Sequence, residues 1–244
     1  EDSDVSDEFF WAAAELYAAT GDAAYLRDAK NSRYWTAFPG LEPGNASAMY
    51  WGGTAALGAI SLVTAQSQLS KADRASLEAQ IIATADRYLA DYSKTGYGVP
   101  MDYSGYVWGS NSGILNNAII LAIASDLSGK ARYRDAVSAA MDYLLGYNGL
   151  RRSFITGFGA FPPRHPHHRV WANDPDSGYV GPPPGLVVGG PDRNIEDPEM
   201  KAARVSSLPI AKRYLDVLGS YATNEVCINW NAPLVWIADW LSRR

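Results

Sequence analysis

A glutamate near the C-terminal end of the chain has neighbours suited to acid–base chemistry. Glu225 precedes an apolar segment and lies close to Trp230, and Asp216 lies nine residues before it. A carboxyl group in apolar surroundings keeps its proton to higher pH, as a general acid must. Glu225 also fits a simpler interpretation, that of an acidic residue in the first turn of a helix, where it complements the helix dipole.

The histidines form a second group of residues that could do chemistry. His165, His167 and His168 all lie in the segment FPPRHPHHR, residues 161–169. Zinc ligands normally converge from separated positions on a tetrahedron, which nearly adjacent histidines on a proline-stiffened loop do poorly. Donors that bind sugar hydroxyls are therefore favoured over a metal site, and Arg169 could hold a carboxylate in a bidentate contact. A basic loop that merely folds over the core is the remaining alternative.

The composition restricts the kind of partner. The 244 residues are 47% hydrophobic and 19% charged, which is enough for a sizeable core. A formal net charge of -5 gives no electrostatic basis for binding nucleic acid or an anionic membrane surface. The 15 Tyr and 8 Trp against 6 Phe favour aromatic faces that carry a polar group, which suit sugar rings. The single cysteine, Cys227, excludes an intrachain disulfide.

The elements that must position these residues are predicted to be helices. Apolar residues recur at helical spacing, and no series of segments alternates as several strands would. Helices are predicted over residues 5–20, 75–92, 114–127, 131–146, 206–218 and 225–241. The junctions TGDAAY, Thr20–Tyr25, and SGKARY, Ser128–Tyr133, resemble each other and predict repeated αα-hairpins. Residues 149–204 are rich in Gly and Pro and carry the histidines, which predicts a structured functional loop.

Several long segments in fixed order resemble family 9 of the glycoside hydrolases, which are mainly cellulases. They are DEFFWAAAELYAATGD, YVWGSNSGILNNA, DYLLGYNGLRRSFITGFGAFPPRHPHHR, PPPGLVVGGPD and NEVCINWNAPLV. The resemblance implies an all-α (α/α)6 toroid, of which this chain supplies roughly the C-terminal half. It places residues 1–244 in one catalytic domain whose N-terminal part is absent from this sequence. It also implies inverting hydrolysis of β-1,4-glucosidic bonds in cellulose or related β-glucans.

The resemblance assigns roles to residues of two signature motifs and one cleft motif. The implied catalytic residues are Glu225, Asp216 and His167, and the implied substrate-binding residues are Arg169, Trp108 and Trp230. Glu225 is expected to be the general acid, and Asp216 a signature acid that supports the site. His167 and Arg169 match a His-x-Arg pair that binds the sugar beside the scissile bond. Trp108 is expected to line the cleft and stack on glucose.

The chain departs from the family pattern in places that bear on function. The Asp-Ala-Gly-Asp motif that carries the family's catalytic base does not occur in the sequence, so this chain alone is expected to be inactive. Phe161 stands where Asn, Lys or Arg is usual, Cys227 where a smaller residue is usual, and Trp230 where Tyr is common.

The acidic residues at the start of the chain raise the question of a metal. Asp4, Asp7 and Glu8 match part of a calcium site of the family, and hard oxygen ligands suit calcium. A further family acid is replaced by Gly52, and Asp7 and Glu8 also fit an ordinary helix N-terminus. The chemistry itself is expected to need no cofactor, so calcium would be structural.

The expected partners are a β-glucan polysaccharide or cello-oligosaccharide and the missing N-terminal half of the catalytic domain, with no nucleic acid or membrane. The family resemblance implies a secreted or cell-surface protein. Two alternatives remain open. The chain could be a non-catalytic carbohydrate-binding fragment, or part of an exo-glycosidase that acts on another β-linked oligosaccharide.

Overall fold

The computed structural model describes residues 4–39, 46–65, 68–169 and 181–243. Within these ranges the chain forms α-helices, short 3-10 turns and isolated backbone bridges, and no strand of a sheet. The helices are α1 (Ser6–Thr20), α2 (Ala23–Asn31), α3 (Ala55–Thr64), α4 (Lys71–Lys94), α5 (Ser110–Ser128), α6 (Ala131–Leu145), α7 (Pro198–Ala202), α8 (Tyr221–Asn224) and α9 (Ile228–Ser242). A helix able to cross a lipid bilayer is also absent from these ranges.

Two tight αα-hairpins repeat along the chain, as the paired junctions predict. Helices α1 and α2 are joined at Gly21, and α5 and α6 at Gly129. Both glycines have left-handed backbone angles, with φ of 72° and 68°, and each donates its backbone N–H to a carbonyl in the last turn of the preceding helix. Glycine adopts this conformation without the steric cost that a Cβ atom adds. The two hairpin turns are therefore encoded locally.

Helix α5 is the centre of the arrangement. Its apolar residues are buried on every side, and α4, α6 and α9 all pack against it. Helix α1 packs on α2 and α3, and α3 packs on α4. Helix α4 therefore links α1, α2 and α3 to the helices around α5. The helices thus follow one another in an arc that begins at α1 and ends at α9. This confirms the all-α prediction.

The two helices at the ends of the arc expose apolar side chains. Phe9 and Leu16 lie seven residues apart on α1, and each is largely exposed. Helix α9 exposes Val235, Trp236 and, at its first residue, Ile228, which is 91% exposed. Residues seven apart lie on the same face of a helix. Within the described residues, each end of the arc therefore presents an apolar stripe to solvent.

Asparagine side chains on α5 fix the loops that surround its N-terminal half. Asn111, Asn116 and Asn117 donate their side-chain N–H groups to loop carbonyls at 2.8–2.9 Å. The accepting carbonyls belong to Ala46, Met49, Pro100 and Val188. A buried amide needs such partners, because an unpaired polar group in the core is costly. These bonds tie separate loops to one helix.

The helix predicted over residues 206–218 is wrong. The chain there forms two 3-10 turns, Val205–Ser207 and Ile210–Lys212, separated by Pro209. Proline cannot donate a backbone hydrogen bond and disfavours helical geometry in the residue before it. The guanidinium of Arg213 donates to the carbonyls of Ser206 and Leu208, taking acceptors that a helix would pair internally. Local side-chain bonding therefore replaces helix over this segment.

Candidate active site

Glu225 lies between two helices and belongs to neither. It follows α8 with φ of -68° and ψ of 152°, and α9 begins three residues later than predicted. The backbone N–H of Gly189 donates to the Glu225 carbonyl at 2.9 Å. This extended conformation leaves a half-buried carboxyl group at the entrance to α9. The interpretation of Glu225 as a first-turn helix acid is therefore wrong.

The side chain of Trp108 contacts the Glu225 carboxyl group directly. The indole Nε1–H donates to Glu225 Oε2 at 3.0 Å. The Trp108 ring lies 5.3 Å from the ring of Tyr221, centroid to centroid. Gly109 follows with a left-handed φ of 83°, and a Cβ atom there would lie 2.8 Å from the Trp230 ring. The glycine therefore lets the loop that carries Trp108 lie on Trp230.

His167 is held against the segment that carries Glu225. Its backbone N–H donates to Asn224 at 2.8 Å, and its carbonyl accepts from Val226 at 3.2 Å. The ring Nδ1 lies 2.8 Å from the carbonyl oxygen of Leu218. Because a carbonyl only accepts, Nδ1 carries the hydrogen and donates it. The tautomer that this bond favours leaves Nε2 for another contact.

Asp216 is a buried carboxylate that holds the histidine loop in place. It accepts from the backbone N–H of Arg164 at 3.0 Å and of His165 at 2.9 Å. Arg152 Nη2 donates to it at 3.0 Å, and the Asp216 side chain is only 9% exposed. Charge-assisted bonds of this kind are strong and directional. With its oxygens engaged in this way, the Asp216 carboxylate is placed to position the loop.

Asn224 connects the same loop to the residue before Glu225. Its side-chain Nδ2 donates to the His165 carbonyl at 2.7 Å, and its Oδ1 accepts from the Tyr214 hydroxyl at 2.7 Å. Asn224 is fully buried, so these bonds are shielded from water. The sequence shows Asn224 beside Glu225, but only the fold reveals its contact with residues 59 positions earlier.

The remaining predicted substrate-binding residues differ in exposure. Arg169 is exposed and follows His167 by two positions. Trp230 is 8% exposed and packs beneath Gly109 and Gly189. A direct contact between Trp230 and substrate stays a prediction, as does sugar binding by Arg169.

A cavity of about 710 Å³ opens beside Trp108. Its walls come from the N-terminal parts of α3, α5 and α9 and the loops before them. Its aromatic lining residues are Tyr50, Trp51, Trp108, Trp230 and Trp236. Trp51 is 70% exposed, so it offers a ring face to a ligand. A concave surface with aromatic walls and a carboxyl group at its edge has the chemistry of a sugar-binding cleft.

Comparison with known proteins identifies the family. The sequence profile described as Glycosyl hydrolase family 9 matches residues 1–238. The chain belongs to this family. It is 38% identical over 255 residues to the cellulose 1,4-beta-cellobiosidase of Acetivibrio thermocellus, with 98% of this chain and 28% of that protein aligned. It is 37% identical to endoglucanase C of Cellulomonas fimi, with 99% of this chain and 22% of that protein aligned.

Solved structures of family 9 proteins share the fold of this chain. AaCel9A, solved in complex with cellobiose-like isofagomine, superposes with a TM-score of 0.84 at 31% identity. The match covers all of this chain and 44% of that one. Family 9 structures are (α/α)6 barrels, so the arc from α1 to α9 is part of such a ring. The chain spans less than half the length of each of these three relatives.

The family 9 signature residues come together in the fold, with contributions the sequence did not indicate. Trp108 bonds to Glu225, and His167 pairs with the backbone on either side of Glu225. The ring of Tyr221 lies between them, 5.3 Å from Trp108 and 5.9 Å from His167. Tyr221 and Trp51 were not predicted as site residues. Trp51 lies shortly before α3, as Trp108 lies shortly before α5, and Tyr221 is the first residue of α8. A position at or just before the start of a helix was the available signal.

Cys227, one of the departures from the family 9 pattern, lies next to Glu225. Burial raises the pKa of the Cys227 thiol to about 12, and the nearby Glu225 carboxylate adds to the effect. A negative charge beside the thiol disfavours the thiolate. The sequence singled out this position as unusual, and its contact with Glu225 follows from the turn between α8 and α9.

The predicted calcium ligands have other partners within the described residues. Asp4 forms an ion pair with Arg33 at 2.6 Å and accepts the N–H of Ser6. Asp7 accepts the backbone N–H of Thr54 at 2.6 Å. In the described ranges, no group of three or more His, Cys, Asp or Glu side chains is arranged to hold a metal ion. As arranged, these residues do not fit a calcium ion, and calcium binding stays a prediction.

Proposed function

We propose that this chain is the acid-bearing part of an enzyme that hydrolyses β-1,4-glucans with inversion. The observation that carries the proposal is the Glu225 carboxyl group, which is half-buried, bonded to Trp108 and set at the edge of an aromatic cleft. In such an enzyme Glu225 donates a proton to the glycosidic oxygen as the bond to C1 breaks. A second carboxylate, about 6.5–9.5 Å away, removes a proton from the attacking water.

The other site residues bind and position. The Nδ1–H bond of His167 to Leu218 leaves Nε2 directed to a sugar hydroxyl, and Arg169 offers further donors beside it. Trp108 fixes one oxygen of Glu225 through its N–H while its ring faces the sugar. Asp216 acts indirectly, because its carboxylate holds the backbone of Arg164 and His165.

Asp216 is a poor candidate for the second carboxylate. Its oxygens accept from two backbone amides and from Arg152, and its side chain is only 9% exposed. A catalytic base must be open to the water it activates. We infer that the base comes from the N-terminal half of the domain, as the family resemblance implies.

The exposed stripes at the two ends of the arc support this division. Helices α1 and α9 each expose apolar side chains where a closed ring would have neighbouring helices. Burying them would contribute about 25 cal/mol per Å² of apolar surface removed from water. We therefore propose that residues 1–244 and the missing N-terminal half together form one catalytic domain. A polymeric glucan is met outside the cell, so the proposed activity implies a secreted or cell-surface protein.

The test compares the 244-residue chain, the complete protein and its Glu225→Gln variant on cello-oligosaccharides. Anomer formation is followed by NMR. We expect inverted product from the complete protein, none from the chain alone, and a loss of about 10²-fold or more in Glu225→Gln. The control is Asp135→Asn, which alters an exposed carboxyl group on α6 and should keep full activity. A Gln variant as active as its parent would refute the role of Glu225.

The same experiment separates the alternatives. A carbohydrate-binding fragment would bind cello-oligosaccharides, but its complete protein would release no product. An exo-glycosidase for another β-linked sugar would leave cello-oligosaccharides intact and cleave its own substrate with the same dependence on Glu225.

A further inference from the structure

A group of exposed aromatic side chains lies outside the cleft. We call Tyr97, Tyr147 and Phe161 the outer aromatic patch. They are 41%, 67% and 77% exposed. The rings of Tyr97 and Tyr147 are 5.9 Å apart and nearly perpendicular, at 82°. Tyr97 follows the end of α4 and Tyr147 follows the end of α6.

Glycines bring Phe161 beside Tyr147. A Cβ atom on Gly146 would lie 3.0 Å from the Cβ of Ala160, and one on Gly159 would lie within 3.0 Å of the backbone of Leu145. The turn before Phe161 therefore rests on the end of α6, next to Tyr147. This close approach is possible only without side chains at those glycines.

The backbone around the patch is strained. Among the described residues, three other than glycine have left-handed φ values, and two of them, Arg151 at 53° and Phe161 at 48°, lie in this region. A large side chain in this conformation carries a cost, so it persists where the surroundings impose it, and such residues cluster at ligand sites. Asn, one of the three residues usual at position 161 in the family, tolerates left-handed angles far better than Phe.

Polar donors stand beside the aromatic rings. The Lys212 and Tyr97 side chains flank Gly149 at 3.3 Å and 3.6 Å from a Cβ atom built there. Lys212 and Arg151 are both exposed. Aromatic faces bordered by hydrogen-bond donors match the C–H faces and hydroxyl edges of a neutral sugar polymer.

The patch lies close in sequence to the histidine loop and follows the ends of α4 and α6, which are not the two helices at the ends of the arc. Phe161 and His165 are only four positions apart, a reach of at most about 14 Å, and His165 is bonded to Asp216 and Asn224. Helices α4 and α6 both pack on α5, so a second half joined at α1 and α9 leaves this region open.

We propose that the outer aromatic patch is a second binding surface for β-1,4-glucan chains, holding polymer outside the cleft. Tyr147 and Phe161 supply the stacking faces, and Arg151 and Lys212 bond to hydroxyls. The choice of glucan as ligand rests on the proposed function, whereas the presence of a second surface rests on the patch itself.

The test is native gel electrophoresis of the 244-residue chain through gels that contain hydroxyethyl cellulose, with dextran gels as the reference. We expect the parent to be retarded and the combined variant Tyr147→Ala with Phe161→Asn to bind about tenfold more weakly. Phe161→Asn should unfold at the same temperature as the parent or higher, so lost binding is not lost folding. Phe9→Ala, an equally exposed aromatic on α1, is the control and should migrate as the parent does.

The outcomes separate the patch from the cleft. Trp108→Ala should keep part of the retardation, because the patch is intact. Retardation of the combined variant equal to that of the parent overturns the proposal, as does complete loss in Trp108→Ala or a parent that is not retarded. Gel retardation reports binding and not turnover, so failure of the catalytic assignment in the turnover assay leaves this measurement independent.

Discussion

The indole N–H of Trp108 and the carboxyl group of Glu225 form a 3.0 Å hydrogen bond between residues 117 positions apart in the chain. Trp108 precedes α5 and Glu225 precedes α9, and these two helices pack against each other. The packing of α5 on α9 therefore sets the position of the proposed acid. Trp108 has two separable roles, one carried by its ring and one by its N–H.

Replacing Trp108 tests those two roles in the complete protein. Trp108→Phe keeps an aromatic ring and removes the N–H, so we expect kcat to fall about 10-fold or more, as for a lost bond to a charged group, with KM little changed. Trp108→Ala should lower kcat and also raise KM. Steady-state kinetics on cello-oligosaccharides checks the prediction, and unchanged kcat in Trp108→Phe contradicts the positioning role.

Replacing Asp216 should loosen the histidine loop. Asp216→Asn keeps the shape and loses the charge that accepts from Arg164, His165 and Arg152. We expect a loss of about 1.5–3 kcal/mol in the free energy of unfolding, measured by urea denaturation of the 244-residue chain. Hydrogen exchange at the amides of Arg164 and His165 should quicken. Asp135→Asn should alter neither quantity.

The single cysteine reports on the surroundings of Glu225. Because burial and Glu225 raise the pKa of Cys227 to about 12, the thiolate is scarce at neutral pH. We expect alkylation by iodoacetamide at pH 8 to be roughly 10³-fold slower than for an ordinary exposed thiol. Glu225→Gln should speed the reaction by removing the negative charge. Mass spectrometry over a pH series measures the rates, and a rate that levels off near pH 9 would contradict the predicted environment.

Asp192 should make the stability of the fold depend on pH. Burial, and to a smaller extent the neighbouring Glu196, raises the pKa of Asp192 to about 8. The folded chain therefore binds a proton more tightly than the unfolded chain, and this contribution to stability is complete below the unfolded pKa, near 4. It is lost as pH rises towards 8.

The measurement is the free energy of unfolding in urea at pH 5 and pH 9. We expect a decline on the order of 4 kcal/mol for the parent and a flatter dependence for Asp192→Asn, which has no ionisable group at this position. The Asp135→Asn chain should decline as the parent does. A parent whose stability is equal at both pH values would contradict the prediction.

Much of the fold was accessible from local sequence. The hairpins at Gly21 and Gly129 follow from a left-handed glycine at the end of an apolar helix. The burial of α5 follows from its apolar composition. The segment 206–218 has helical spacing as well, but Pro209 and the three carbonyl contacts of Arg213 outweigh it. Helical periodicity shows which face of a segment is apolar. It does not show that a side chain will compete for the backbone carbonyls.

The sequence predicts which residues form the candidate site, whereas the geometry of that site comes from the structure alone. The signature resemblance selects Glu225, His167 and Asp216, yet it does not show that Asp216 is occupied by loop amides. The contact of Trp108 with Glu225 depends on how α5 meets α9. The burial of Trp230 likewise follows from its packing beneath Gly109, a relation between distant segments that no local pattern contains.

The asparagines on α5 each hold one or two points in the surrounding loops through their carbonyls. Lengthening a loop between fixed ends costs little, because closure entropy grows only with the logarithm of its length. Insertions and deletions can therefore accumulate in the loops on either side of Ala46, Pro100 and Val188 while these contact points stay in place. A lineage carrying this helix can change the loops that border the cleft, and with them the shape offered to a ligand, without rebuilding the helices beneath.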